Sequence, residues 1–170
     1  TLSAYTALKT MGAGYAGFKD MIEAFDYGNN RESIFTIDGA RVQLHLAKNP
    51  IGFQQKISLV LKDEKPKDII IQINDTAQDG RDISWLWDVD FQYLADSNAS
   101  RIITAGTRRY DMGLRLKYED IPCETTTDLK AVVEDCAKNG TKNLYVIVNY
   151  SGLYRTNHML AELEKGGADK

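Results

Sequence analysis

The sequence predicts an α/β domain around a mostly parallel sheet, and three observations carry that reading. Apolar, β-branched runs too short for helices recur, most clearly at Ile69–Ile73 and Leu144–Val148. Between them lie longer stretches with apolar residues at helical spacing, such as Phe53, Ile57 and Leu61. Glycine, proline or asparagine marks most of the junctions. Runs that are apolar throughout belong to strands covered on both faces, as parallel strands flanked by helices are. In such sheets the chemistry sits in loops at the carboxyl ends of the strands.

Taken in order, Ala4 to about Phe25 reads as one or two helices interrupted by Gly12, Gly14 and Gly17. Ser33–Ile37 and Arg41–Leu46 are strands joined by Asp38-Gly39, a strong hairpin signal. Lys48-Asn49-Pro50 opens a helix, with Pro50 near the first turn, where its missing N–H does no harm. Pro66 ends the connection to the Ile69–Ile73 strand, an acidic loop follows, and a helix covers Trp85 to Ala95. Arg101–Thr104 is a short strand and Thr107–Tyr118 a helix with Met112 and Leu116 inward. Asp128–Lys138 is a helix stopped by Asn139-Gly140, and Cys136 is in phase with its apolar positions, hence a core residue. After the Leu144–Val148 strand, Thr156–Lys165 closes the chain as a helix. Four loops then stand at carboxyl strand ends: Ala47–Asn49, Asn74–Ser84, Ala105–Arg109 and Asn149–Tyr154.

A chain of 170 residues, 43% hydrophobic and 26% charged, suits one globular domain or one domain plus a remnant of another. A net charge of -3 argues against nonspecific nucleic-acid binding, which needs a basic face. No apolar run approaches a membrane span and no secretory signal opens the chain, so a cytoplasmic location is expected. Cys123, Cys136 and two distant histidines lack metal-ligand spacing. The Asn-x-Ser/Thr matches, such as those at Asn98 and Asn139, carry no weight without such a signal.

The most informative stretch is residues 74–91, where Asp75, Asp79, Asp82, Asp88 and Asp90 surround one arginine, Arg81, and two tryptophans. Five carboxylates against one guanidinium would repel one another in a sealed core, so some face water, a cation, a substrate or a partner. Trp85 and Trp87 suit a docking surface, since aromatic anchors concentrate at interfaces. The plainer reading is an acidic loop followed by an amphipathic turn. Gly12-Ala-Gly14-Tyr-Ala-Gly17 matches the dinucleotide fingerprint only formally, because no strand precedes it, and no Gly-x-x-x-x-Gly-Lys-Ser/Thr loop exists. Lys48 and Asn49 sit at a strand-to-helix junction that suits an anion, although capping alone explains Asn49 and Pro50 equally well. Arg108, Arg109 and Asp111 stand at the next junction, where solvated charges opening a helix are the simpler account. His45 on a strand and His158 on the last helix form no Ser/His/Asp order, so a catalytic aspartate here needs a histidine from another chain.

Leu46-Ala-Lys48-Asn49-Pro50-Ile-Gly52-Phe53-Gln54, Asp79-Gly-Arg-Asp82-Ile-Ser84-Trp85-Leu-Trp87-Asp88-Val-Asp90-Phe91 and Asp111-Met-Gly-Leu-Arg115-Leu116-Lys-Tyr118 together resemble the carboxyl-terminal domain of the MurT family. MurT is the Mur-ligase-like subunit of lipid II isoglutaminyl synthase. The resemblance spans about residues 33 to 165, and the Asp-Gly-Arg-Asp-x-Ser-Trp-x-Trp-Asp string is its most specific part. It implies a three-layer Rossmann-like domain over residues 33–170, with residues 1–32 as the helical end of the preceding central domain. ATP and Mg are then expected on that central domain, whose nucleotide site and zinc-binding cysteines are missing here; the chain thus looks like a fragment, itself holding no cofactor.

The same resemblance implies a glutamine-dependent amidotransferase that converts the α-carboxylate of D-glutamate in lipid II to an amide, at the inner face of the membrane. ATP activates that carboxylate as an acyl phosphate, and ammonia from glutamine displaces the phosphate. The glutaminase partner, GatD, supplies a cysteine and a histidine, and the MurT-type domain is thought to supply the acid. Asp82 is the choice for that role, with Arg81 and Ser84 to hold it and Asp79 and Asp88 in reserve. Trp85, Trp87 and Asp88 are expected at the partner interface, and Lys48, Asn49 and Arg108 toward substrate. Related ligases carry His-Asn-Pro where this chain has Lys48-Asn49-Pro50, so their amino-acid-binding role is not carried over. The competing expectation is a noncatalytic docking domain that only holds the glutaminase.

Overall fold

The computed structural model describes residues 2–12 and 32–168. Helix α1, Leu2–Thr10, stands in the first of these segments, and the rest of the helical stretch expected up to Phe25 lies outside the described residues. The second segment holds strands β1 (Glu32–Ile37), β2 (Ala40–Leu46), β3 (Lys67–Gln72), β4 (Ala99–Ala105), β5 (Glu124–Thr125) and β6 (Asn143–Val148). Between and after them lie helices α2 (Pro50–Lys62), α3 (Arg109–Lys117), α4 (Leu129–Asn139) and α5 (Tyr150–Ala168).

The strands form one sheet in the order β1-β2-β6-β3-β4-β5. Only the β1–β2 hairpin is antiparallel, turning through Asp38 and Gly39, both at positive φ. Side-chain alternation splits the core in two. Ile69, Ile71 and Ile73 face Phe53, Ile57, Phe91, Met112 and Leu116 on the α2/α3 side. Ile70, Leu144 and Val146 face Val133, Cys136 and Leu160 on the α4/α5 side. The result is the three-layer α/β sandwich that the strand composition predicts.

The structure corrects two elements. Trp85–Ala95 is not an α-helix but two 3₁₀ turns, Ser84–Asp88 and Phe91–Asp96. The buried residues of this segment repeat every three positions, Leu86 with Val89 and Phe91 with Leu94, which is the 3₁₀ period. The buried Arg115 guanidinium also donates to the Leu86 and Val89 carbonyls, which an α-helix would need for its own ladder. The closing helix begins at Tyr150 rather than Thr156, so the expected Asn149–Tyr154 loop shrinks to Asn149. A Cβ on Gly152 would lie 3.2 Å from Gln72 Oε1 and 3.3 Å from Val148 Cβ, so glycine here serves close packing of the first turn rather than a loop. The two-residue strand β5 gave no run long enough to register as a strand.

One buried cation holds the amino-terminal end of the sheet. Lys67 is fully buried, and its Nζ donates to the Ser97 carbonyl at 2.6 Å and to the Asp63 carbonyl. Burial pushes its amine below the ordinary lysine range, opposed by the nearby Asp63 carboxylate. Asp63 in turn accepts from Asn143 Nδ2 and Tyr145 Oη, both at 2.8 Å, tying the end of α2 to β6.

Candidate functional site

The central strands β2, β6, β3 and β4 end side by side, and each end is bonded to its neighbour. Ala47 N donates to Val148 O at 2.9 Å, Asn149 N to Gln72 O at 3.3 Å and Ile73 N to Ala105 O at 3.1 Å. The four expected loops therefore meet at one edge. After β3 the chain continues on the α2/α3 face, and after β6 it continues into α5 on the other. This is a topological switch point, where ligands of open α/β sheets usually bind. Here the crevice is stitched by the protein's own side chains.

Asn149 makes the first stitch, accepting from Asn74 N at 3.1 Å through Oδ1 and donating Nδ2 to Asn74 O at 2.7 Å. Asn74 makes the second, accepting from Thr107 N at 3.1 Å and donating to Ser151 Oγ at 3.2 Å. The close approach behind Asn74 needs Gly106, whose φ is +90° and whose added Cβ would lie 2.3 Å from Ile73 O. Asp75 then accepts from Thr107 Oγ1 at 2.7 Å and from Arg108 Nε at 2.9 Å. The Thr107 hydroxyl first, and then Arg108, hold its carboxyl below the ordinary carboxylate range.

The remaining aspartates divide by what they touch. Asp79 uses both oxygens: Oδ1 accepts from Ser151 N at 2.8 Å, and Oδ2 from Ser151 Oγ at 2.5 Å and Thr76 Oγ1 at 2.7 Å. Asp82 is exposed, and its Oδ1 accepts from Ser84 N at 2.8 Å. The Ser84 amide, with the Ser84 hydroxyl next, holds the Asp82 carboxyl below the ordinary range. Arg81 forms no ion pair with Asp82 among the described residues, so Ser84 alone of the two expected partners holds it. Asp88 is exposed at the end of the first 3₁₀ turn.

The two tryptophans part company. Trp85 is half-buried with its ring 5.5 Å from Phe53, where it packs against the core. Trp87 is 53% exposed, edge-on to Tyr118 at 5.2 Å, with the Arg115 guanidinium carbon 5.3 Å from its ring centre. It joins Tyr110, Leu114 and Tyr118, spaced four apart along α3 and its C-terminal cap and 65%, 50% and 69% exposed, in one apolar stripe. Like-spaced tyrosine and leucine on a helix are the sequence signal for this stripe, but they read equally well as a core face until the buried face of α3 is fixed by Met112 and Leu116.

Of the residues expected toward substrate, Asn49 caps α2 by accepting from Gly52 N at 2.8 Å, with Pro50 in the first turn, so capping accounts for both. Lys48 is exposed beside that helix end. Arg108 is engaged by Asp75 and, at 3.5 Å, by Asp111. Sequence reasoning missed Asn74, Asn149 and Ser151; a polar side chain directly after an apolar strand is the signal that could have found the two asparagines. His45 stacks on Tyr145 at 5.8 Å inside the sheet, and His158 lies on the surface of α5, 3.6 Å from Glu162. No group of three His, Cys, Asp or Glu residues that could hold a metal occurs among the described residues.

Residues 46–153 match the family model described as MurT ligase C-terminal. The chain is 36% identical over 120 residues to the lipid II isoglutaminyl synthase (glutamine-hydrolyzing) subunit MurT of Staphylococcus aureus strain COL, covering 71% of this chain and 28% of that protein. It is 28% identical over 134 residues to the protein of the same name from Streptococcus pneumoniae R6, covering 77% and 30%. The chain thus spans less than a third of the length of these relatives. Among solved structures, the UDP-N-acetylmuramate-alanine ligase MurC of Thermotoga maritima superposes with a TM-score of 0.60 at 14% identity, over 97% of this chain and 36% of that one. Folylpolyglutamate synthase of the same organism follows at 0.54 and 16%, over 93% and 37%; at such identities the likeness speaks for the fold alone.

Proposed function

Because this chain belongs to the MurT ligase C-terminal family, we propose that it serves a glutamine-dependent amidotransferase that converts the D-glutamate α-carboxylate of lipid II to D-isoglutamine. In this reading residues 33–170 form the carboxyl-terminal domain of the ligase subunit and residues 1–32 the end of the domain before it. The domain contacts the glutaminase subunit, GatD, and Asp82 completes its catalytic triad. The single observation that carries the assignment is the division among the aspartates. Asp75 and Asp79 have both oxygens engaged, with partners from distant segments of the chain, whereas Asp82 is exposed and held only by neighbouring Ser84 among the described residues.

An acid of this kind orients a histidine and stabilises the imidazolium that forms when the histidine takes a proton from the nucleophile. Asp82 suits that work. The Ser84 amide restricts its rotation, and the same contact keeps it ionised at neutral pH, ready to accept an imidazole N–H. The partner's thiol, once deprotonated by that imidazole, adds to the glutamine carboxamide. The imidazolium returns its proton to the nitrogen, which leaves as ammonia, and water then cleaves the thioester to glutamate. Trp87 and the α3 stripe give the partner an apolar surface to dock on. ATP and Mg supply acyl-phosphate chemistry in the whole enzyme, but the residues here do not fit either group. The chain lacks a Gly-x-x-x-x-Gly-Lys-Ser/Thr loop, and the described residues offer no metal cluster. Both are assigned mainly to the central domain of the ligase subunit.

A second reading, a docking domain without a catalytic part, draws on the exposed stripe alone. Adding the full-length ligase subunit to separately purified glutaminase distinguishes the two. The triad reading expects wild type to switch on glutamine hydrolysis and Asp82→Asn to bind without switching it on. Equal activation by both proteins would remove Asp82 from the triad, leaving docking alone or Asp88 in its place.

A further inference from the structure

We propose that Ser151 is a positioning residue for the triad acid, acting through Asp79; the proposal rests on the reading of Asp82 as that acid. Ser151 is the second residue of α5, and its amide is one of the first-turn N–H groups that have no partner within a helix. Asp79, reaching from the β3 loop, accepts from that amide at 2.8 Å and from the Ser151 hydroxyl at 2.5 Å. A carboxylate at a helix amino terminus is favoured by the helix dipole as well as by these bonds. Asp79 is therefore a helix cap supplied by a different segment.

What this cap holds is the platform for Asp82. Asp79 also closes its own turn, accepting from Thr76 Oγ1 at 2.7 Å while its amide donates to Thr76 O at 3.0 Å. Gly80 follows at a φ of +80°, a conformation that sends the chain sharply away, and Asp82 comes two residues later. From Thr76 to Asp82, among the described residues, the side-chain bonds that tie the segment to another element are the two between Asp79 and Ser151. Ser151 Oγ also accepts from Asn74 Nδ2, so one hydroxyl joins the base of the loop to its middle. Without that hydroxyl the loop keeps its anchors at Asn74 and the Ser151 N bond to Asp79, but loses one of the two bonds that fix the Asp79 carboxylate and its tie to Asn74. A displacement of about 1 Å at a catalytic group lowers rates by up to about 100-fold, so a small loosening here is visible in kinetics.

The test uses the full-length ligase subunit copurified with its glutaminase, assayed for glutamine hydrolysis. Ser151→Ala is expected to lower kcat about 10-fold with KM for glutamine unchanged, and Ser151→Thr, which keeps the hydroxyl, to restore it. Combined with Asp82→Asn, Ser151→Ala is expected to add no further loss, because its effect passes through Asp82. A merely structural role would give losses that add to that of Asp82→Asn, and that result overturns the proposal. Wild-type kcat in Ser151→Ala beside a collapsed Asp82→Asn also overturns it, while wild-type kcat in Asp82→Asn overturns the reading beneath it. If Ser151→Ala does not fold, Asp79→Asn keeps the shape and one acceptor, and the same nonadditivity with Asp82→Asn is expected.

Discussion

Arg115→Ala tests how the surface around Asp82 is built. The guanidinium is buried, donating through Nε to Leu86 O at 3.2 Å and through Nη2 to Val89 O at 2.8 Å. Its remaining arm pairs with Glu119, and its face lies 5.3 Å from Trp87 and 5.5 Å from Phe91. Hydrogen bonds from a charged donor contribute about 1.5–3 kcal/mol each, and a half-exposed cation–π contact about 1 kcal/mol. Truncation leaves the two carbonyls with their backbone donors alone, Val89 N at 3.5 Å on Leu86 O and Phe91 N at 2.9 Å on Val89 O. Allowing for some entry of water, the loss should be about 4 kcal/mol. With a urea slope near 2 kcal/mol per M, the unfolding midpoint falls by about 2 M. Arg115→Lys keeps the charge but not the fork that reaches both carbonyls, so it should lose most of the same stability. Urea unfolding followed by tryptophan fluorescence gives the number directly. A loss below about 1 kcal/mol for Arg115→Ala would mean that the 3₁₀ turns stand without this strut, and the account of their geometry would be wrong.

The other expectations concern separate parts of the domain. Trp87→Ala should change stability by less than about 1 kcal/mol, since the ring is half-exposed, yet weaken association with the glutaminase about 10- to 100-fold by calorimetric titration. Gly106→Ala places a Cβ 2.3 Å from Ile73 O at a φ of +90°, and should lower Tm by about 10 °C, read by differential scanning calorimetry. Asp63 should shape the acid limb of stability. Burial pushes its carboxyl up, but hydrogen bonds from Asn143 and Tyr145 outweigh burial and leave it lowered. A carboxyl lowered by folding contributes stability that is complete above its unfolded value and lost as pH falls through the folded one. Asp63→Asn should therefore flatten the decline in Tm below about pH 4.

Much of this architecture was legible in the sequence because burial imposed it directly. Ile69–Ile73 and Leu144–Val148 are apolar on both faces, and only a covered parallel strand satisfies that pattern. Phe53 and Ile57 sit on the buried face of α2 as their spacing requires. The misreadings arose where a tertiary contact overrode local preference. Ser151 and Gly152 look like loop residues until Asp79 caps the helix from another segment and the strands demand a residue without Cβ. The segment after Ser84 looks like an α-helix until Arg115, some thirty positions later, takes its carbonyls. The acidic loop stood out by charge alone. Which aspartate was held only locally was not legible, because Asp79 and Asp82 differ only in partners drawn from distant segments or from the following turn.

The most direct test of the central claim measures kcat for glutamine hydrolysis by the full-length ligase subunit copurified with its glutaminase, wild type beside Asp82→Asn. Both complexes must first elute together. Loss of a triad acid lowers kcat by about 10⁴-fold in proteases, and a collapse approaching that size in an intact complex is the expected result. Hydrolysis at the wild-type rate in an intact Asp82→Asn complex would contradict the account and move the search to Asp88.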